Sequence, residues 1–203
     1  LGRLRNPEET IPEVPHPVPS SSRDWLDAQL ERIEALTEIN GVPIEAIERR
    51  ARPERSSQGG FLGPEEHLKD VLKRDAQVVS RLRTTHQALV DHLKAIIRLV
   101  NTGSSARQAM TYQGQSLQVS YATSGTQESL FRNPARSFEV TPDNWPWSEQ
   151  YQITNLTNGL HVVVGGNERA GVIGYIERHG FYEGGGRRNP HRIDPEVLHA
   201  ILT

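Results

Sequence analysis

The spacing of apolar residues changes once along this chain, near Gly103, and that change restricts the architecture. Before it, apolar side chains recur every three or four positions. Leu26, Leu30, Ile33 and Leu36 form one series, Leu68, Val71, Leu72, Val79 and Leu82 a second, and Leu89, Leu93, Ile96, Ile97 and Val100 a third. A 3.6-residue turn gathers such positions on one face, so each series predicts an amphipathic helix. After Gly103, Leu117, Val119 and Tyr121 alternate with Gln118 and Ser120. That is the period of a strand with one buried face and one wet face. Helices followed by antiparallel strands define an α+β fold.

Three regions follow. Residues 1–22 form a proline-rich arm with Pro7, Pro12, Pro15, Pro17 and Pro19. Each proline removes a backbone donor and fixes φ, so the arm is expected to be extended and to need a surface to lie on. Residues 23–103 form a helical bundle or pair of hairpins. Residues 104–203 form an antiparallel sheet with two late helices.

Local signals set the expected boundaries. Ser21 and Asp24 open the first helix and Asn40-Gly41 stops it. Pro43 opens a short second helix, and Pro64, with Glu65 and Glu66 behind it, opens a third. Thr84-x-x-Gln87 caps a fourth. Gln113-Gly114-Gln115 joins two strands, and Phe138–Val140 reads as a short one. Asn158-Gly159 predicts a type I′ hairpin between Tyr151–Leu156 and Leu160–Val164. Residues 168–179 read as a helix ending at Gly180, and Asp194-Pro195 caps the last one.

Composition excludes several functions. There is no cysteine, which removes disulfides, thiolate metal sites and cysteine nucleophiles and fits a reducing cytoplasm. No apolar run reaches the roughly 18 residues of a membrane span. Leu1-Gly2-Arg3-Leu4-Arg5 has neither an initiator methionine nor a signal-type apolar core, as expected of a processed or trimmed start. The formal net charge is −2, and acidic and basic residues balance on both sides of Gly103. No global field therefore draws in nucleic acid or anionic lipid.

The eight histidines form no H-x-H or H-E-x-x-H pattern, and His86 and His92, six apart, project from different helix faces. There is no G-x-S-x-G elbow. Gly165-Gly166-Asn167 lies between a strand and a helix, as a phosphate loop does, but lacks the third glycine and the lysine; it reads as a tight turn. Trp145-Pro146-Trp147 is expected to plug one end of the sheet.

The most suggestive constellation is Gly184 to Arg192. It carries Arg187, Arg188, His191 and Arg192 on a glycine-rich loop, with Phe181 and Tyr182 just before it. Mobile guanidiniums beside aromatic rings suit phosphate or base contacts, which makes Tyr182, Arg187, Arg188, His191 and Arg192 the candidate anion ligands. Asp194 opposes this, because its carboxylate already occupies the donors of the last helix.

The reading adopted from sequence is a non-catalytic binding or assembly protein of the cytoplasm. It needs no cofactor or metal and engages a protein partner or a second copy through its N-terminal arm. The alternatives are a phosphate- or nucleic-acid-binding protein using the 184–192 loop, and an enzyme whose site is assembled from dispersed histidines and carboxylates.

Overall fold

The structure, a computed structural model, describes residues 22–52, 60–101, 107–185 and 191–203. Of the proline arm expected over 1–22, residues 1–21 lie outside these, and Ser22 already belongs to the first helix. Besides a 3-10 turn at Pro134–Arg136, the described residues form six α-helices and six strands. In chain order they are α1 (Ser22–Ala35), β1 (Glu38–Ile39), β2 (Val42–Pro43), α2 (Ile44–Ala51), α3 (Leu68–Arg81) and α4 (His86–Asn101), followed by β3 (Arg107–Tyr112), β4 (Gln115–Gln127), β5 (Trp147–Asn155), β6 (His161–Gly165), α5 (Val172–His179) and α6 (Pro195–Leu202). The α+β class is as expected. No described helix is long and apolar enough to cross a membrane.

The main sheet is an antiparallel meander in the order β3-β4-β5-β6. Its register aligns Val119 with Ile153, and Ile153 with Val162, in one buried row. Leu117, Tyr151 and Val164 extend that face. Each such side chain contributes on the order of 1.5–3 kcal/mol through burial. Gln118, Ser120 and Gln152 alternate onto the polar face, as the period predicts. Residues of the helical stripes and of the sheet belong to one apolar cluster. Hydrogen bonds from the tyrosine rims tie α4 to the sheet, His92 Nδ1 to the Tyr112 hydroxyl at 2.8 Å and Tyr151 to Asn101 at 3.1 Å.

Several boundaries differ from expectation for identifiable reasons. The first helix ends at Ala35, and Asn40-Gly41 is not its stop. Ile39 pairs with Val42, and both intervening residues have positive φ (54° and 71°), which makes this a type I′ turn in a small ribbon. The same turn, at Gln113-Gly114, joins β3 to β4. Asn158-Gly159, where type I′ was expected, has positive φ only at Gly159. There the Asn155 side chain accepts from the N–H groups of Thr157 and Asn158, and Asn155 N–H reaches Leu160, giving a four-residue loop.

Pro64 is not the first residue of α3, which begins at Leu68. Glu48 of α2 takes the role of cap by accepting from Leu68 N at 2.8 Å. Thr85, not Thr84, caps α4 through Ala88 N–H. Phe138–Val140 forms no strand, and both side chains are 80% exposed. The tryptophan pair divides. Trp145 is largely exposed, while Trp147 starts β5 and lies over Gly165.

The expected helix from 168 begins only at Val172. Asn167 first makes an Asx turn, accepting from Arg169 and Ala170 N–H, and Gly166 and Gly171 form a close backbone bridge. With the N–H groups of Gly166 and Asn167 also bonded, this strand-to-helix turn consumes its own donors. It is a tight turn, as the sequence indicates, and not a phosphate cradle.

Two glycines with similar φ should therefore respond differently to alanine. At Gly159 a Cβ meets nothing within 4 Å, so Gly159→Ala should cost only the left-handed backbone penalty, about 1 kcal/mol. At Gly171 a Cβ would fall 2.5 Å from the Gly165 carbonyl oxygen, so Gly171→Ala should cost about 3 kcal/mol or more. Urea denaturation of the two variants measures the difference, and equal losses would contradict the bridge geometry.

Candidate functional site

Of the residues that sequence nominates for an anion site, Arg187 and Arg188 lie outside the described set. His191 is exposed at the end of the loop. Tyr182 and Arg192 turn inward. Phe181 and Tyr182 are completely buried, so the stacking surface expected of them is not on the outside. Arg192 forms a two-pronged contact with the fully buried Asp75 at 2.7 and 3.3 Å and donates to the Glu183 carbonyl. Burial raises the Asp75 carboxyl; burial alone would lower Arg192, but the carboxylates of Asp75, Asp194 and Glu66 together raise it. Because an arginine remains charged, the pair stands as an ion pair at neutral pH. Asp194 caps α6 by accepting from Glu196 N at 2.8 Å, as expected.

The inward turn of Tyr182 leads to a different place. Its hydroxyl lies 2.9 Å from His86 Nδ1, at the first residue of α4. His86 is 8% exposed and lines a cleft of about 270 Å³ formed where α1, the N-terminus of α4 and the C-terminal end of α5 meet. Trp25 and Arg32 come from α1, Thr85 and His86 from the start of α4, and Arg178 and Gly180 from the end of α5. Trp25 packs against the imidazole with ring centroids 5.3 Å apart. Gly180 is needed here for two reasons. Its φ of 70° closes α5, and a Cβ would sit 2.7 Å from His86 Nε2.

These contacts fix the state of His86. Burial, with a contribution from the charge of Arg32, lowers its pKa to about 4, so the ring is neutral at pH 7. Burial raises Tyr182 well above its usual range, so the phenol keeps its proton. His86 Nδ1 is the phenol's partner, and a buried donor left unused is expensive. The phenol therefore donates to Nδ1, which leaves the imidazole proton on Nε2, at the edge beside Gly180 and the cleft.

The carboxylates around the cleft are already engaged. Glu177 receives Lys94 at 2.5 Å and lies within reach of Gln87. Asp143 accepts from Arg178 at 2.7 and 3.0 Å and lies 3.2 Å from His179; burial alone would raise its pKa, but these partners hold it below the usual range. Arg32, in contrast, donates to the Gln29 side chain and the His179 carbonyl and has no carboxylate partner among the described residues. No group of three or more metal-ligating side chains occurs among the described residues.

A second surface lies on the segment between Phe131 and Trp145. Three asparagines from separate parts of the chain pin it. The Asn144 side-chain oxygen accepts from Asn133 N (3.0 Å) and Asn40 Nδ2 (3.1 Å), and its amide donates to the carbonyls of Arg136 and Glu139. Asn133 returns a bond to the Asn40 carbonyl at 2.9 Å. This fixed frame presents Phe138, Val140 and Trp145 to solvent.

His86 shares no helix face with His92, which hides it from a reading by histidine spacing. That geometry is correct, but the relevant partner is a tyrosine 96 positions away. The threonines before the helix give the one local signal, since they place His86 at a helix N-terminus. The chain matches no family model, no curated protein and no solved structure.

The buried neutral histidine makes stability depend on pH. Its folded pKa of about 4 lies below the unfolded value near 6.5. Between those values the unfolded chain binds the extra proton, so this contribution is present above pH 6.5 and is lost as pH falls toward 4. The loss attributable to His86 should be about 2–3 kcal/mol between pH 7 and pH 4.5. Urea titrations of wild type and His86→Gln at both values isolate it. The stability gap between them should shift by that amount, and an unchanged gap would show that His86 titrates normally.

Proposed function

We propose that this chain is a non-catalytic binding protein whose cleft between α1, α4 and α5 holds a small ligand. The observation that carries this reading is His86, a neutral imidazole fixed from behind by Tyr182, with its second nitrogen against Gly180, which also lines the cleft. Buried polar groups normally have all their hydrogen bonds made, and one left without a partner beside a concavity suits an incoming acceptor. Binding is favoured over turnover by the state of the neighbouring acids. Glu177 and Asp143 are both committed to cations, and His86 is a donor too weakly basic to take a proton near pH 7.

The asparagine-pinned segment favours a second reading, docking of a protein partner through Phe138, Val140 and Trp145. Large apolar side chains on a fixed frame suit an interface anchor. Assembly through the proline arm, and a cytoplasmic setting, remain proposals from sequence alone. The phosphate or nucleic-acid reading of the 184–192 loop is weaker with Tyr182 and Arg192 directed inward.

Proton–nitrogen NMR with a library of small polar fragments tests the reading. Bound fragments should shift the Trp25 indole and the Gln29 side-chain amide and leave the Trp145 indole unmoved, with the indoles assigned through Trp→Phe variants. Shifts confined to Trp145 and its neighbours would move the binding surface to the second site, and no shift at Trp25 would defeat the cleft reading.

A further inference from the structure

We propose that the cleft is a small-oxyanion site, taking a carboxylate or phosphoryl group on Arg32, the His86 Nε2–H and the N-terminus of α4. This rests on reading the cleft as a ligand site.

The groups that face it supply donors and positive potential. Arg32 brings a guanidinium whose bonds go to the Gln29 side chain and a backbone carbonyl, leaving its charge without a carboxylate among the described residues. A guanidinium of this kind has several N–H groups in a planar fork, suited to paired oxygens. His86 is more than nine-tenths buried, and its Nε2–H has no protein acceptor among the described residues. The Thr85 hydroxyl accepts from Ala88 N–H and retains its own proton to donate.

The helix behind these side chains adds to the effect. Thr85, His86 and Gln87 all line the cleft, so the start of the 16-residue α4 opens there. No acidic residue occupies its first turn, which leaves the positive end of the dipole uncompensated by its own sequence. The opposing end of α5 contributes less negative potential than a bare C-terminus. Gly180 and Phe181 N–H bond the carbonyls of Ile176 and Tyr175, and Arg32 reaches that of His179. The nearby acids do not repel an anion strongly, because Glu177 is paired with Lys94, and Asp143 with Arg178 and His179.

The cleft volume of about 270 Å³ limits the ligand to a small molecule. Trp25 forms one wall, so a compact planar body attached to the oxyanion has a ring to lie against.

The test is isothermal titration of the full chain with benzoate, phenyl phosphate and, as the neutral isostere, benzamide, on wild type, Arg32→Ala and Arg32→Lys. Arg32 is exposed, and melting curves verify that the variants fold. Benzoate or phenyl phosphate should bind wild type at least about tenfold more tightly than benzamide, the two anions showing which oxyanion is preferred. Arg32→Ala should weaken the anion about tenfold or more without changing benzamide, and Arg32→Lys should restore part of the loss. Benzamide binding as tightly as benzoate, with the Trp25 indole shifted by both, would overturn the oxyanion proposal and leave the cleft as a neutral-ligand site. Anion binding unaffected by Arg32→Ala would also overturn it. No binding by any of the three, with no fragment shift at Trp25, would remove both this proposal and the cleft reading beneath it.

Discussion

The ion pair between Arg192 and Asp75 constrains much of the rest of this structure. Asp75 sits in the middle of α3 with no solvent exposure, and an unpaired carboxylate there would be untenable. Arg192 reaches it from more than a hundred residues away and also binds the Glu183 carbonyl. Breaking one side of such a buried pair costs about 3–5 kcal/mol, a large share of a domain's net stability. The pair therefore holds the 181–185 segment between the helices. Glu66 reinforces it by accepting from Gly185 and Gly63 N–H. Glu183 stays buried in a left-handed conformation with φ of 66°.

Holding that segment places Tyr182, and Tyr182 sets His86. The phenol buried beside α4 leaves the imidazole one way to satisfy its inner nitrogen, and the outer one is then a donor beside Gly180 in the wall of the cleft. Trp25 and Gly180 close in from α1 and the end of α5, so the ring has little room to rotate. The cleft thus depends on contacts between the two parts of the chain that differ in hydrophobic period. A donor supported in this way is preorganised, so a ligand would not have to order it on binding.

The sequence made the elements legible where the signal is periodic or capping is local. The stripes of α3 and α4, the alternation of Leu117, Val119 and Tyr121, and the Asp194-Pro195 cap all appear as read. Turn types were less legible, because Asn-Gly at 40–41 and at 158–159 looks alike in sequence. The difference lies in Asn155, whose side chain captures two loop N–H groups. The site was the least legible part. Arginine and tyrosine near a glycine-rich run suggest an exposed ligand loop, but burial of Asp75 and His86 decides where Arg192 and Tyr182 point. An aspartate on a helix face between apolar positions is a weak cue that a cation must come to it, and nothing local names the cation.

Burial keeps His86 neutral, and Tyr182 fixes its proton on Nε2. Long-range proton–nitrogen correlation of the imidazole across a pH titration measures this directly. The ring should be neutral at pH 7 with the proton on Nε2 and a midpoint near pH 4. Tyr182→Phe, which removes the donor to Nδ1, should disturb this tautomer. A midpoint near 6.5, or a proton on Nδ1 in the wild type, would contradict this assignment.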